Sequence, residues 1–208
     1  MSQDFVYLAS GSPRRRELLQ QIGVPFRVVG AAIDEAVLPD ETPLQYVARL
    51  AAAKAEAGWE RSRDFAHARD FAHAPVLAAD TAVVLDGKIL GKPADGQDAE
   101  DMLRQLSGRT HEVFTAIALR TANGLQSRIS RSEVTFRSIA AAEARGYWET
   151  GEPSDKAGAY AIQGLGAMFI ADLRGSYSGV MGLPLFETAE LLVGAGIVPL
   201  GANRGPAR

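Results

Sequence analysis

Short apolar runs and longer mixed segments alternate along this chain. Apolar runs bounded by glycine, proline or polar clusters are typical of strands, whereas longer segments with a capping residue and recurring leucine or alanine are typical of helices. The pattern predicts strands over residues 5–9, 25–29, 76–85, 88–90, 112–121, 127–137 and 166–173. It predicts helices over residues 13–22, 43–58, 97–106, 140–149 and 184–194. Strands that alternate with helices indicate an α/β fold.

The predicted strands over residues 112–121 and 127–137 flank the dipeptide Asn123-Gly124. This dipeptide is typical of a tight turn between antiparallel strands, so the sheet is expected to be mixed.

A second tight turn, Asp-Gly, follows Leu85. In a regular register Leu85 pairs with Lys88, which places Thr81 opposite Lys92. Thr81 and Lys92 then share one face of the sheet, and Asp80 lies on the other. Asp80 and Lys92 can therefore act on one substrate only if the strand ends, twists or bulges near Asp80.

Composition limits the classes of protein that fit. The chain has 208 residues, 47% of them hydrophobic, which suffices for a full core. We expect one domain over residues 1–198 and a flexible tail over residues 199–208, where periodicity is absent. The net charge of −3 argues against nonspecific nucleic-acid binding, and the absence of cysteine excludes disulfides and thiolate chemistry. No signal-peptide pattern and no apolar window of about 18 residues is visible, so a cytoplasmic location without membrane contact is expected.

The start of the first predicted helix carries an unusual charge pattern. Ser12 is a good N-cap and Pro13 suits the first helical position, yet Arg14–Arg16 follow at the end of the helix that is already positive. A bound anion removes this conflict, and arginine forks with free N–H groups hold phosphate well. The alternative is a solvated basic turn paired with Glu17.

Asp80 interrupts an apolar strand that runs from Val76 to Leu85. Burial of an unpaired charge is expensive, so this carboxylate needs a partner or a task. It is either one half of a buried ion pair, or a metal ligand or general base beside the phosphate site. Lys92, which precedes a proline, is either a cleft residue or a solvated lysine.

Three loops have further candidate residues. Residues 151–166 and 175–184 are rich in glycine, which allows a backbone to approach a ligand closely. Between a helix and a strand, Arg109 or His111 could face the site, although a histidine there is also readily satisfied by local hydrogen bonds.

The hexapeptide RDFAHA occurs at residues 63–68 and again at residues 69–74. It contains His67 and His73, whose spacing fits one helical face poorly. A tandem duplication that lengthens a surface loop between a helix and a strand is therefore favoured over a metal site.

Several long motifs, taken together and in order, resemble those of Maf-type nucleoside triphosphate pyrophosphatases over about residues 5–193. They are SGSPRR, AADTAVVLDGKILGKP, SGRTHEV, EPSDKAGAYAIQG and GSYSGVMGLPL. The resemblance implies a mixed, twisted sheet with flanking helices and two lobes around a cleft, similar to inosine triphosphate pyrophosphatases. It implies hydrolysis of a nucleoside triphosphate to the monophosphate and pyrophosphate, assisted by Mg²⁺ or Mn²⁺.

The resemblance also implies roles for individual residues. Asp80 matches the proton-accepting carboxylate, and Glu35 matches a cleft carboxylate that helps Asp80 to bind metal. The positions linked to substrate specificity are Arg14, Thr81 and Gln163. The phosphate-binding set is Ser10, Arg15, Lys54 and Lys92.

The loop sequence DKAGAYAIQG resembles the branch of the family that acts on dTTP and UTP. A carboxamide at Gln163 can accept from N3–H and donate to O4 of uracil or thymine. Two alternatives remain: the same reaction on 7-methyl-GTP or another modified nucleotide, and a nucleotide-binding regulator of cell division and septum formation. Asp80 within an apolar strand favours catalysis. A homodimer is compatible with the sequence.

Overall fold

The computed structural model describes residues 5–66 and 74–201. Its strands are β1 (Val6–Leu8), β2 (Phe26–Val28), β3 (Val76–Leu85), β4 (Lys88–Leu90), β5 (Thr110–Thr121), β6 (Gly124–Phe136) and β7 (Ile170–Arg174). Its α-helices are α1 (Pro13–Gln21), α2 (Pro43–Ala66), α3 (Gly96–Leu106), α4 (Ala141–Glu149), α5 (Tyr177–Met181) and α6 (Leu185–Gly194). Short 3-10 helices lie at Glu152–Asp155, Ala157–Ala159, Leu165–Phe169 and Pro199–Gly201.

The strands form one 7-stranded sheet in the order β2-β1-β3-β5-β6-β7, with β4 paired to β3. β1 pairs in parallel with β2 and β3, and the remaining pairs are antiparallel. The predicted mixed α/β sheet is thus confirmed. The predicted hairpin between β5 and β6 is also confirmed, with Thr121 opposite Gly124.

Side-chain alternation along β3 directs its residues to two different layers. One layer packs α2 against the sheet through Val47, Ala51 and Ala55. The other packs α1 and α6 against Leu77 and Ala79. A third cluster joins α3 and α4 to the far end of β5 and β6 around Phe136 and Phe169. Each fully buried large apolar side chain contributes about 1.5–3 kcal/mol, so these layers fix the sheet and the helices that carry the site.

Two element boundaries differ from the sequence prediction. Helix α2 continues from residue 58 to Ala66, because Gly58 serves close packing and does not end the helix: a Cβ there would lie 2.8 Å from the Ala9 Cβ. The strand predicted over residues 166–173 begins only at Ile170. Its first part is a 3-10 helix, since the Glu152 carboxylate accepts from the Gly166 N–H at 3.0 Å.

The duplicated hexapeptide begins inside α2, not in a loop, because Arg63 extends the helix and pairs with Glu60 at 3.1 Å. His67 and His73 lie outside the described residues. At the other end of the chain, the Leu200 N–H donates to the Ile22 carbonyl at 2.8 Å, and residues 202–208 are not described. The domain limits, the tail, the two lobes, a homodimer and a cytoplasmic location stay predictions. No helix among residues 5–66 and 74–201 has the length and apolar character that crossing a bilayer requires.

Candidate active site

A cavity of about 610 Å³ lies where the turn before α1, the middle of β3, helix α2, the end of β4 and the glycine-rich loop meet. All nine residues to which the family resemblance gives a role line this cavity. They are Ser10, Arg14, Arg15, Glu35, Lys54, Asp80, Thr81, Lys92 and Gln163.

An open edge of β3 explains how side chains from both faces of the sheet reach one cavity. Along one edge β3 pairs continuously with β5. Along the other, β1 reaches only to Leu77 and β4 begins only at Val83. Asp80 and Thr81 lie in the gap between these neighbours. The sequence argument required that β3 end, twist or bulge near Asp80. Its pairing with β5 instead runs through Asp80 without a register shift, and the neighbouring strands on the other edge stop.

The predicted pairing of Leu85 with Lys88 is confirmed, but the pairing of Thr81 with Lys92 is wrong. The ladder stops where Val83 faces Leu90. It stops because the next carbonyl, that of Gly91, accepts instead from the Gly158 N–H at 2.9 Å. Lys92 therefore leaves the sheet and reaches the cavity from its rim.

Lys54 joins two carboxylates on the α2 side of the sheet. Its Nζ lies 2.7 Å from Asp80 Oδ1 and 2.6 Å from Glu35 Oε1. Asp80 and Lys54 are almost fully shielded, with side chains 9% and 12% exposed, whereas Glu35 is 53% exposed. The buried ion pair considered as an alternative for Asp80 does exist, and it forms the wall of the cavity.

Burial and charge act in opposite directions on these two acids. Burial raises the pKa of Asp80, and the positive charges of Lys54 and Arg15 offset only part of that rise. For Glu35, burial also acts to raise the pKa, but the hydrogen bond from Lys54 and the charges of Lys54 and Lys92 outweigh it, so the pKa falls. The pKa of Asp80 is therefore raised above its ordinary value, the direction that a general base in a cavity needs.

Arg15 is held in place by three hydrogen bonds. Its Nε donates to the Gly182 carbonyl at 2.8 Å, one terminal nitrogen donates to Ser10 Oγ at 3.2 Å, and the other donates to Thr81 Oγ1 at 3.3 Å. Burial lowers the pKa of Arg15, but an arginine in a protein keeps its charge. A guanidinium has five N–H donors, so two remain for an anion in the cavity.

The start of α1 is open to an anion, as the sequence suggested. Ser12 occupies the N-cap position and Pro13 follows it, but the Ser12 side chain makes no capping bond and the first turn has no acidic residue. The Ser12 N–H donates to Ser10 Oγ at 3.2 Å. In the part of the chain that the structure describes, Glu17 forms no ion pair with the neighbouring arginines.

Arg14 and Lys92 provide positive charge without a local acceptor. Within the described ranges neither has a hydrogen-bond or ion-pair partner, although both line the cavity. Together with the two remaining N–H groups of Arg15, they give the cavity cationic donors of the kind that suit phosphate.

The glycine-rich loop forms another wall of the cavity and is fixed by Glu152. This carboxylate accepts from the Tyr147 hydroxyl at 2.7 Å, from the Leu165 N–H at 2.9 Å and from the Gly166 N–H at 3.0 Å. Gln163 is exposed at the cavity rim. The apolar part of the lining consists of Ala82, Val83, Ile89, Leu90, Ala157, Ala161, Ile162, Val180 and Met181, beside the Tyr160 ring.

Two of the possible site residues do not reach the cavity. Arg109 instead pairs with Asp86 at 2.7 Å on the surface. His111 is buried, and its Nε2 lies 2.9 Å from the Tyr160 hydroxyl. Burial lowers the pKa of His111 to about 4, so the imidazole is neutral near pH 7. The expectation that local hydrogen bonds satisfy His111 is wrong: its partner Tyr160 is 49 residues away along the chain, and its buried Nδ1 has no hydrogen-bond partner among the described residues.

The sequence argument missed three polar residues of the lining. Tyr46 lies on α2 and donates to the Glu35 carbonyl at 3.1 Å, which holds that segment over the cavity. Asp155 and Lys156 form an ion pair in the glycine-rich loop. Their adjacent charges within EPSDKAGAY were the available signal, while nothing in the sequence distinguished Tyr46.

Fold and cavity together define an α/β protein with a cavity that combines cationic side chains with a buried carboxylate–lysine ion pair. The model of the family described as Maf-like protein matches residues 5–195, and the chain belongs to this family. The resemblance inferred from the motifs is thereby confirmed.

Curated relatives are similar over most of their length, and each of the three that follow is named dTTP/UTP pyrophosphatase. The relative from Pseudoalteromonas atlantica is 51% identical, covering 89% of this chain and 94% of its own. That from Aromatoleum aromaticum is 53% identical over 90% and 93%. That from Saccharophagus degradans is 50% identical over 97% and 93%. The solved structure of the Staphylococcus aureus Ham1 protein matches 65% of this chain and 72% of its own, with a TM-score of 0.42 and 16% identity.

Proposed function

We propose that this chain is a nucleoside triphosphate pyrophosphatase that hydrolyses dTTP and UTP to the monophosphate and pyrophosphate. The observation that carries the proposal is the placement of Asp80, buried and joined to Lys54, in the same cavity as the arginine-headed start of α1. The names of the relatives, at 50–53% identity, support this substrate pair.

The phosphate chain is assigned to the cationic side of the cavity. Ser10, Arg15, Lys54 and Lys92 form the proposed phosphate-binding set. The free N–H groups of α1 and the remaining donors of Arg15 would donate hydrogen bonds to phosphate oxygens. Fixed donors of this kind also stabilise the charge that develops on the leaving pyrophosphate, without reorganisation during the reaction.

Asp80 is assigned the role of general base. A water attacks the α-phosphorus and gives its proton to the Asp80 carboxylate. The new bond joins the water oxygen to the α-phosphorus, and the bond from that phosphorus to the oxygen bridging the α- and β-phosphates breaks. The raised pKa of Asp80 improves proton acceptance near neutral pH.

The carboxylates suit a divalent cation. Although no group of three or more His, Cys, Asp or Glu side chains among the described residues could hold a metal, Mg²⁺ is commonly bound by one or two carboxylates together with substrate phosphates. Oxygens of Glu35 and Asp80 both lie within 2.7 Å of one ammonium nitrogen, so a single cation can contact both. Glu35 and Asp80 would hold Mg²⁺ or Mn²⁺, which when bound supplies charge compensation at the phosphates.

The base is assigned to the apolar side of the cavity, near the glycine-rich loop. Gln163, at the rim of this side, is assigned the contacts to N3–H and O4 of thymine or uracil, because a carboxamide can accept from the first and donate to the second. Arg14 and Thr81 complete the proposed specificity set. A cytosine base presents a donor where uracil presents an acceptor, so Gln163 should disfavour it.

The test is a nucleotide panel scored by pyrophosphate release, with dTTP, UTP, CTP, 7-methyl-GTP and ITP, each with and without a chelator. We expect release from dTTP and UTP, and loss of the rate when the divalent cation is removed. Preference for 7-methyl-GTP or ITP would reject the substrate assignment. Binding of dTTP without any turnover would favour the regulatory function instead, and an unchanged rate with chelator would reject the metal.

A further inference from the structure

The loop before α6 is fitted to the hydroxyl groups of β5 and β6. The Ser176 N–H donates to Ser132 Oγ at 3.0 Å, and Gly175 has a φ of 123° that brings the backbone against Ser132. A Cβ at Gly175 would lie 2.7 Å from that hydroxyl oxygen. The motif GSYSGVMGLPL therefore encodes a tightly seated turn whose end, Gly182, holds Arg15.

Thr115 lies between β3 and the segment before α6. On β5 it stands directly opposite Thr81 of β3, and it is only 1% exposed. Its hydroxyl donates to the Gly179 carbonyl at 2.7 Å and lies 3.0 Å from Thr81 Oγ1, to which it can also donate. Because a hydroxyl has a single hydrogen, Thr115 donates to one of these two acceptors at a time, one on β3 and the other in α5.

These contacts close a ring of hydrogen bonds around Arg15. Thr115 contacts Thr81 and Gly179, the Gly182 N–H donates to the same Gly179 carbonyl at 2.9 Å, and Arg15 donates to the Gly182 carbonyl and to Thr81 Oγ1. The ring spans the strand, the turn and the helix start, so it fixes the guanidinium from two sides.

We propose that Thr115 is a positioning residue, which through Thr81 and the Gly179–Gly182 turn aims the free donors of Arg15 at the substrate phosphates. The inference rests on the proposed function, because it concerns the same cavity. Thr115 itself does not line the cavity and touches no substrate. Its effect is on orientation, and misplacement of a binding group by about 1 Å can cost about 100-fold in rate.

The chain offers closely matched variants. Thr115→Val keeps the shape and removes the donor, whereas Thr115→Ser keeps the donor. Gly179 retains the Gly182 N–H when Thr115 is replaced, so the turn keeps a backbone bond. Thr110→Val is the control. Thr110 also lies on β5, but its hydroxyl lies 2.8 Å from that of Thr135 on β6, and neither residue lines the cavity.

The experiment measures kcat and KM for dTTP, binding of inorganic pyrophosphate by calorimetry, and the melting temperature, on the full chain. We expect Thr115→Val to lower kcat/KM by about 10- to 100-fold and to weaken pyrophosphate binding. We expect Thr115→Ser and Thr110→Val to resemble the wild type. On an Arg15→Lys background, Thr115→Val should add little further loss, since both changes act on one unit.

Equal loss in Thr115→Ser and Thr115→Val, additive losses on the Arg15→Lys background, or unchanged kinetics in Thr115→Val would overturn the inference. If Thr115→Val does not fold, Thr115→Ala replaces it in the same comparison. If the wild type releases no pyrophosphate from any nucleotide, the proposed function fails, and the calorimetric arm still decides whether Thr115 governs phosphate binding.

Discussion

Two aspartates near the β3–β4 hairpin have cationic partners at the same distance, yet their pKa values move in opposite directions. Asp80 lies 2.7 Å from Lys54, and its pKa is raised because burial outweighs the attraction of the nearby cations. Asp86, in the turn after β3, lies 2.7 Å from Arg109, and the hydrogen bond from that arginine lowers its pKa because burial is slight.

The difference shows that a cation at hydrogen-bond distance does not by itself decide the direction of a carboxylate's pKa shift. The exposure of the carboxylate to solvent decides it. At the surface, Arg109 stabilises the charged form of Asp86, so this carboxylate is a weaker base than an isolated aspartate. In the cavity, burial raises the pKa of Asp80, and the positive charge of Lys54 offsets part of the cost of burying the carboxylate. Ion pairing and catalysis are therefore compatible at Asp80, and neither interpretation of that residue excludes the other.

The substitution Asp80→Asn tests this comparison with the largest expected effect. The amide keeps the shape but cannot accept the proton, so kcat for dTTP should fall by about 10²–10⁴-fold while nucleotide binding is retained. Steady-state kinetics and calorimetry check the two parts. Asp86→Asn, the matched variant at the surface, should leave kcat unchanged. Near-normal turnover by folded Asp80→Asn would reduce Asp80 to a structural ion pair.

Replacement of Lys54 by methionine sharpens the comparison by removing the cation alone. Asp80 would then be a buried carboxylate without its partner, and loss of one member of a buried pair typically costs about 3–5 kcal/mol of stability. Its pKa should rise further. Since the base is active only when deprotonated, activity should be lost at a higher pH as the medium is acidified.

Chemical denaturation and a pH–rate profile measure both effects of Lys54→Met. The control is Arg109→Met, which removes the partner of the exposed Asp86 and should shift neither the acidic limb nor kcat. If the acidic limb of Lys54→Met stays at the wild-type pH, Asp80 is not the group that the profile reports.

Gln163→Glu separates recognition of the base from the chemistry at Asp80. The carboxylate accepts from N3–H but cannot donate to O4, and one hydrogen bond lost at this exposed rim position costs about 0.5–1.5 kcal/mol. The value of kcat/KM should fall for dTTP and UTP and fall less for CTP. An equal loss for all three nucleotides would mean that Gln163 only supports the glycine-rich loop.

Removal of residues 69–74 should have the smallest effect. The remaining copy of the hexapeptide still links α2 to β3, and Ala68 takes the place of the buried Ala74. A change in the length of the connection between two elements costs little, about 0.6 kcal/mol for each doubling. Activity and melting temperature should stay close to those of the full chain; a large fall in either would show that the segment supports the site.

The mixed sheet, the cationic start of α1 and the carboxylate in β3 could be predicted from local signals, whereas the site roles of Glu35, Lys54 and Gln163 were implied only by the resemblance to the family. A strand that ends in Ser-Gly-Ser-Pro and a carboxylate within an apolar strand are visible in the chain itself. Where β1 and β4 stop along β3 is a tertiary property, so the open edge at Asp80 and the departure of Lys92 from the ladder could not be read. The end of α2 could not be predicted at Gly58 either. A glycine is required there by the side chains of Ala9, just after β1, and Val76, at the start of β3, which are distant in sequence.

The central claim is that water attacks the α-phosphorus beside Asp80. Hydrolysis of dTTP in water enriched in heavy oxygen, followed by mass spectrometry of both products, tests it most directly. Attack at the α-phosphorus places the heavy oxygen in the nucleoside monophosphate and leaves the pyrophosphate unlabelled. Label in the pyrophosphate, or release of single phosphates, would contradict the account.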